Sequence, residues 1–249
     1  MKGGEPMATP IQQTAPLSNQ DAFRSGMRAG IPVAVGYVPI AIAFGLLAKS
    51  FDMPNVITLA MSLFIFAGAS QFIGIQLIMA GSMYWEIVLT TFILNLRHFL
   101  MSASLSQRIE TTSNRFLAAI AFGVTDETFS VASTRDEATR GHFVLGLNLI
   151  AFFAWNVGTW IGVFLAFGLP QSVQASMGIA LYAMFIGLLV PSLTRKPVIV
   201  VAALAVVTQA VLYWGVAPFI PLSSGLSIII ATIVAAGVGA LLYEQEGAT

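Results

Sequence analysis

The chain has 249 residues, of which 57% are hydrophobic and 9% charged, with a mean hydropathy of +0.86; a soluble domain carries roughly 25% charged residues. Its 11 basic and 11 acidic residues cancel, leaving no cationic surplus for nucleic acid, and the absence of cysteine removes disulfide scaffolds, thiolate metal sites and cysteine nucleophiles. The solvent that suits this composition is the lipid bilayer.

Residues 1–28 open with MKGGEPMATPIQQTAPLSNQDA, rich in Pro, Gln and Thr without an apolar run, and are expected to form a disordered cytoplasmic tail. They do not read as a cleavable signal, because the first apolar stretch begins only near Gly30, after Arg24 and Arg28, and is expected to stay as a membrane helix. Eight apolar runs follow, near 29–48, 56–80, 83–103, 116–134, 143–167, 176–194, 198–217 and 225–243. Each has about 18 to 25 residues, enough to cross a hydrocarbon core about 30 Å thick. Short breaks such as KSFDMPN and TRKP separate them, so residues 29–243 are read as one transmembrane domain and 244–249 as a short cytoplasmic tail.

If all eight runs cross, seven loop cations (Lys2, Arg24, Arg28, Arg135, Arg140, Arg195, Lys196) lie inside and three (Lys49, Arg108, Arg115) outside. If the runs at 56–80 and 116–134 enter and return, the tally becomes nine to one. The fold class is therefore all-α and polytopic, with about 6–8 transmembrane helices and broken or re-entrant segments near 56–80 and 116–134. Both models place the N- and C-termini in the cytoplasm. IAIAFG (40–45) and AAIAFG (118–123) echo each other, too briefly to establish a repeat in so apolar a chain.

Polar residues inside apolar runs are costly and mark functional candidates. In the first run Pro32, Gly36, Pro39 and Gly45 can kink, pack or hinge a helix. In the second, Phe66-Ala-Gly-Ala-Ser-Gln-Phe72 sets small residues between bulky ones. A break there would expose backbone amides and half-helix dipoles to a substrate, and a tight helix crossing at Gly68 is the plainer alternative. In the third, Glu86 beside Trp85 reads as interfacial, whereas Arg97, flanked by Asn95 and His98, lies too far from the run's end to reach water and reads as internal. The fourth carries Thr-Asp-Glu-Thr, where Asp126 and Glu127 cannot both be buried and ionised without compensation. Arg97 is the obvious compensator, which leaves one carboxylate free to exchange a proton; the alternative is a solvated turn. Asn148, Trp155 and Thr159 share a face as interhelical glue, and Gly158-x-x-x-Gly162 and Ala231, Ala235, Gly239 are packing stripes. With only His98 and His142, a multi-histidine metal site is not available, and no cofactor is indicated.

Four stretches together resemble the AzlC family, the large subunit of bacterial two-component branched-chain amino acid exporters: GIPVAVGYVPIAIAFGLLA (30–48), SLFIFAGASQF (62–72), LNLRHFLMSASL (94–105) and GVTDETFSVAS (123–133). Their order and spacing over about 100 residues make the resemblance specific; beyond 135 it is one of hydropathy only. It implies an inner-membrane helical transporter that exports leucine, isoleucine and valine, with methionine or toxic analogues as further candidates, and a separately encoded AzlD-like membrane subunit. The polar or hinge positions it matches are Phe66, Gly68, Ser70, Gln71, Arg97, His98, Asp126 and Glu127. Where the family often has Leu-Tyr-Gly after Arg-His, this chain has Phe99-Leu100-Met101-Ser102, so that tyrosine hydroxyl is missing.

The resulting expectation is a proton-coupled exporter. Ser70, Gln71 and the backbone at Gly68 would take the substrate's polar end, with Phe66 and Phe72 near its aliphatic part. Arg97, with His98 beside it, would balance Asp126 or Glu127, either of which could titrate. A passive channel or a scaffold subunit are the alternatives; an intramembrane enzyme is disfavoured because H-E-x-x-H and a Ser-His-acid order are missing.

Overall fold

In a computed structural model of the chain, the described residues are 18–109, 113–134, 140–170, 172–173 and 178–243; among them there is no strand. The helices are α1 (Asn19–Ser50), α2 (Asn55–Phe64), α3 (Gly68–Met79), α4 (Tyr84–Ser106), α5 (Asn114–Phe122), α6 (Asp126–Ser133), α7 (Gly141–Leu165), α8 (Gly178–Leu189), α9 (Lys196–Ala210) and α10 (Ser224–Tyr243). A 3-10 turn, Ala166–Gly168, extends α7, and a π-helical turn, Val211–Val216, extends α9. With those extensions, α1, α4, α7, α9 and α10 are each long and apolar enough to cross a membrane, and α5 with α6 makes a sixth candidate, bent by 119°. The chain is an all-α polytopic membrane protein.

Helix α1 begins at Asn19, inside the stretch 1–28 expected to be a disordered tail. The Ser18 hydroxyl accepts the Asp21 amide at 3.1 Å, and Asp21 places a negative charge in the first turn, so this end is capped where hydropathy is silent. Residues 1–17 and the tail 244–249 lie outside the described residues. The run at 176–194 contributes α8, only 12 residues long, because the amide-less Pro191 follows it and a 3-10 turn, Val190–Thr194, takes over.

Both segments expected to be broken are broken. Between α2 and α3, Phe66 has φ +42°, a region costly for any residue with a Cβ, and a Cβ on Gly68 would collide with the Trp155 ring. Between α5 and α6 the backbone restarts at a capping box. The Thr125 hydroxyl accepts the Thr128 amide at 3.3 Å while the Thr128 hydroxyl accepts the Thr125 amide at 2.9 Å. Thr-Asp-Glu-Thr is thus a helix start, which puts both carboxylates in the first turn of α6.

The scaffold that holds these breaks is the pair α1 and α7. Gly26 lies against Phe143, Gly30 against Leu147 and Gly45 against Thr159; from the other side, Gly146 lies against Phe23, Gly158 against Val38 and Gly162 against Ile42. Small residues let two backbones approach closely, which is how membrane helices associate without a hydrophobic drive. The partners advance in the same sense along both helices, so α1 and α7 run parallel. IAIAFG lies within α1 whereas AAIAFG ends α5, so the echo falls on unlike elements. Glu86, read as interfacial, is 7% exposed: its carboxylate accepts the Ser223 hydroxyl at 2.7 Å at the N-terminus of α10, whose dipole favours the charge.

Candidate functional site

The two breaks meet. A cavity of about 40 Å³ is lined by Phe66 and Gly68 from the first break, Thr125, Asp126 and Glu127 from the second, Arg97 and His98 from α4, and Tyr37 and Trp155 from the α1 and α7 scaffold. Across the break, the Phe66 ring sits 6.4 Å from Phe122 at the end of α5 and 5.2 Å from Phe152 on α7. One wall is therefore aromatic and the other charged.

The charged and polar groups form two separate sets of contacts. Arg97 Nη1 meets Asp126 Oδ2 at 2.7 Å, with the two side chains 36% and 30% exposed, and Arg97 Nε is buried without a hydrogen-bond partner. Tyr37 presents its hydroxyl 2.5 Å from Glu127 Oε2 and 2.6 Å from Thr125 Oγ1. At the start of α3 the first amides have no intrahelical acceptor, and Ala67, its N-cap, supplies no side-chain cap. Those donors border the same cavity. Among the described residues no group of three or more metal-ligating side chains comes together.

Not every residue expected at the site lines it. Phe66, Gly68, Arg97, His98, Asp126 and Glu127 do; Ser70, Gln71 and Phe72 do not. The Ser70 hydroxyl donates to Asn95 Oδ1 at 2.8 Å and ties α3 to α4. Gln71 accepts the Trp155 indole N–H at 3.0 Å and donates to the Ser62 hydroxyl at 3.0 Å, and Ser62 in turn meets Thr159 Oγ1 at 2.8 Å. Phe72 is fully buried, 5.4 Å from the Phe44 ring. The side chain of Gln71 is thereby spent on binding α2, α3 and α7 to one another across the break. Gln71→Ala is expected to orphan the buried Trp155 N–H, costing about 1–3 kcal/mol, while the Ser62 hydroxyl keeps Thr159; a lowered thermal midpoint of the purified protein in detergent checks it.

Tyr37, Thr125 and Trp155 line the cavity and are not among the site residues that the sequence singles out. A lone tyrosine hydroxyl within the first apolar run, and the capping signature that starts at Thr125, are the signals that point to the first two. Trp155 serves as interhelical glue through its bond to Gln71, and it also lines the cavity.

A family model described as AzlC protein matches residues 32–169, a span that contains every cavity residue and excludes α8 to α10. The inner membrane protein YgaZ of Escherichia coli (strain K12) is 34% identical over 205 residues, covering 79% of this chain and 83% of that protein. An uncharacterized membrane protein of Archaeoglobus fulgidus is 37% identical over 184 residues, 73% of this chain and 81% of that one. The branched-chain amino acid transport protein AzlC of Bacillus subtilis (strain 168) is 28% identical over 144 residues, 57% of this chain and 56% of its own length. No solved structure matches.

Proposed function

The chain belongs to the AzlC family, and from that premise we propose that it exports leucine, isoleucine and valine across the bacterial inner membrane in exchange for protons, as the large subunit of a complex with a small AzlD-like membrane subunit. The observation that carries the reading is the pairing of charges in the cavity. A zwitterionic amino acid has an anionic and a cationic end a few ångströms apart, and the walls offer both complements. Its carboxylate would face Arg97 Nε and the free amides that open α3, and its ammonium the acidic turn Asp126–Glu127. The aliphatic part would lie toward Phe66 and the rings packed on it. Ser70, Gln71 and Phe72 support this site from behind. A space of about 40 Å³ holds a few waters at about 10–15 Å³ each and is too small for a branched amino acid; on this reading the structure is a closed state, and the two breaks are where it opens.

The same reading fixes a topology. α5 and α6, of 9 and 8 residues, are about 14 and 12 Å long and turn by 119°, so together they fall short of a core about 30 Å thick and re-enter. Because α1 and α7 run parallel and α4 supplies one crossing between them, α2 and α3 must return as well. Lys49 at the end of α1 sits 5.7 Å from the Phe167 ring just past α7, on one side of the membrane. Glu86 holds the start of α10 beside the start of α4 on that same side, so α10 ends on the side where α1 begins. Both termini are then cytoplasmic and Lys49 is the one loop cation left outside, the nine-to-one arrangement that lysine and arginine retention favours.

The test is efflux of preloaded labelled leucine from cells lacking their own exporters, with and without the small subunit, before and after collapse of the proton gradient. Export that needs the subunit and stops with the uncoupler is the expected result. Export indifferent to the uncoupler would make the protein a passive channel, and no export above control cells would overturn the substrate.

A further inference from the structure

We propose that Glu127 is the one group for which the ammonium of the exported amino acid and the counter-transported proton compete, and that Tyr37 is the residue that positions it. This rests on the transport reading above and goes beyond it by assigning the exchange to one side chain.

Two adjacent carboxylates open α6, and the structure treats them differently. Asp126 is held by Arg97 at 2.7 Å. Glu127 receives the Tyr37 hydroxyl and, among the described residues, forms no salt bridge. The titratable and charged groups around the cavity are Tyr37 from α1, Arg97 and His98 from α4 and Asp126 from α6; the α3 and α7 walls contribute only backbone, small residues and the Trp155 ring. Of the two carboxylates, then, the one without its own cation is Glu127. An ammonium or a proton supplies what it lacks, and they exclude each other, because a protonated carboxyl has lost the charge that draws an ammonium.

Exclusion is what an exchanger requires. Facing the cytoplasm, Glu127 loses its proton to water as the substrate ammonium takes its place. Facing outward, the ammonium leaves with the amino acid and a proton rejoins the same oxygen. One zwitterion moves out, one proton moves in, and no bond other than that O–H is made or broken. The pair Arg97 and Asp126 stays neutral throughout.

Tyr37 places the carboxylate and transmits its state. Its hydroxyl reaches Glu127 and Thr125, so it donates to the ionised carboxylate in one state and has Thr125 as the alternative partner in the other. Its ring stands edge-on to Trp155 at 5.6 Å, and Trp155 is bonded to Gln71 behind the first break. Protonation of Glu127 in the second break therefore has a physical path to the first.

The experiment uses the full chain in nanodiscs with Trp85, Trp160 and Trp214 replaced by Phe, so that Trp155 alone emits. A pH titration of its emission is expected to show one transition. Leucine in tenfold excess over its dissociation constant should move the midpoint to lower pH by about one unit, the shift that linkage requires of two competitors. Glu127→Gln should abolish the transition, and Glu127→Asp, which keeps the carboxyl group, should restore it. Tyr37→Phe should displace the midpoint while leaving the fold intact, and Thr125→Ser, which keeps the hydroxyl, should leave it in place. Leucine efflux by the unmodified protein separates the two ideas. Efflux together with a transition that survives Glu127→Gln, or that leucine does not move, overturns the Glu127 assignment alone. No efflux and no leucine shift overturns the transport reading itself.

Discussion

Arg97→Gln is expected to abolish leucine export, by on the order of 100-fold, equivalent to about 2.7 kcal/mol of lost interaction with the substrate carboxylate and with Asp126. The guanidinium has two tasks in the cavity. Its Nη1 neutralises Asp126, and its Nε is buried without a hydrogen-bond partner, a donor that on the proposed reading is left for the substrate carboxylate. Removing it strands Asp126 between apolar helices. Loss of one member of a fully buried pair costs about 3–5 kcal/mol, and because about a third of each side chain is exposed here the stability loss should be nearer 1–2 kcal/mol. Two further variants separate the tasks. Arg97→Lys keeps the charge but loses the planar fork that reaches two partners at once, so the protein should fold normally and export about tenfold more slowly. Arg97→Gln combined with Asp126→Asn removes both charges and should recover thermal stability without recovering export.

The larger effect on folding is expected at the glycines between α1 and α7. A Cβ on Gly162 would meet the carbonyl of Ile42, and one on Gly146 the carbonyl of Phe23. A backbone carbonyl cannot rotate aside as a side chain can, so the two helices must separate along their length, and with them the walls that carry Tyr37 and Trp155. Gly162→Ala and Gly146→Ala should each lower stability by about 1–3 kcal/mol, and Gly162→Leu should prevent accumulation of folded protein. Gly36→Ala and Gly237→Ala, where nothing lies within 4 Å of the added carbon, are the controls and should melt like the parent. Thermal melting of detergent-purified protein, with the yield of the monodisperse fraction, reads both.

Much of this architecture is visible in the linear chain because the bilayer imposes a single length scale on apolar runs. The same filter shows why Arg97, Asp126 and Glu127 stand out: charge has few reasons to occur within a span. It resolves less well what each polar residue does. Gln71 and Arg97 look alike as polar intrusions, yet one is consumed by Trp155 and Ser62 and the other keeps a free donor; only the distances distinguish them. Helix ends escape hydropathy for a different reason. Thr125 caps α6 through a hydroxyl, and Ser18 starts α1 well before the apolar stretch, so local hydrogen bonding fixes boundaries that transfer free energy does not register. Tyr37 does not stand out in the sequence because a tyrosine within an apolar run carries no charge, and only the return of α6 brings Glu127 to its hydroxyl.

The central claim is that the cavity between the two broken helices is where the amino acid binds. Since the chain contains no cysteine, Ala69→Cys places a single thiol in the cavity wall at the start of α3, and Leu96→Cys places one on the outward face of α4. The rate at which a small thiol reagent modifies each, with and without saturating leucine, isoleucine, valine or lysine, is the direct measurement. The three branched amino acids should slow modification at position 69 and leave position 96 unchanged, with lysine inert at both. Equal rates at position 69 whatever amino acid is present would contradict the account.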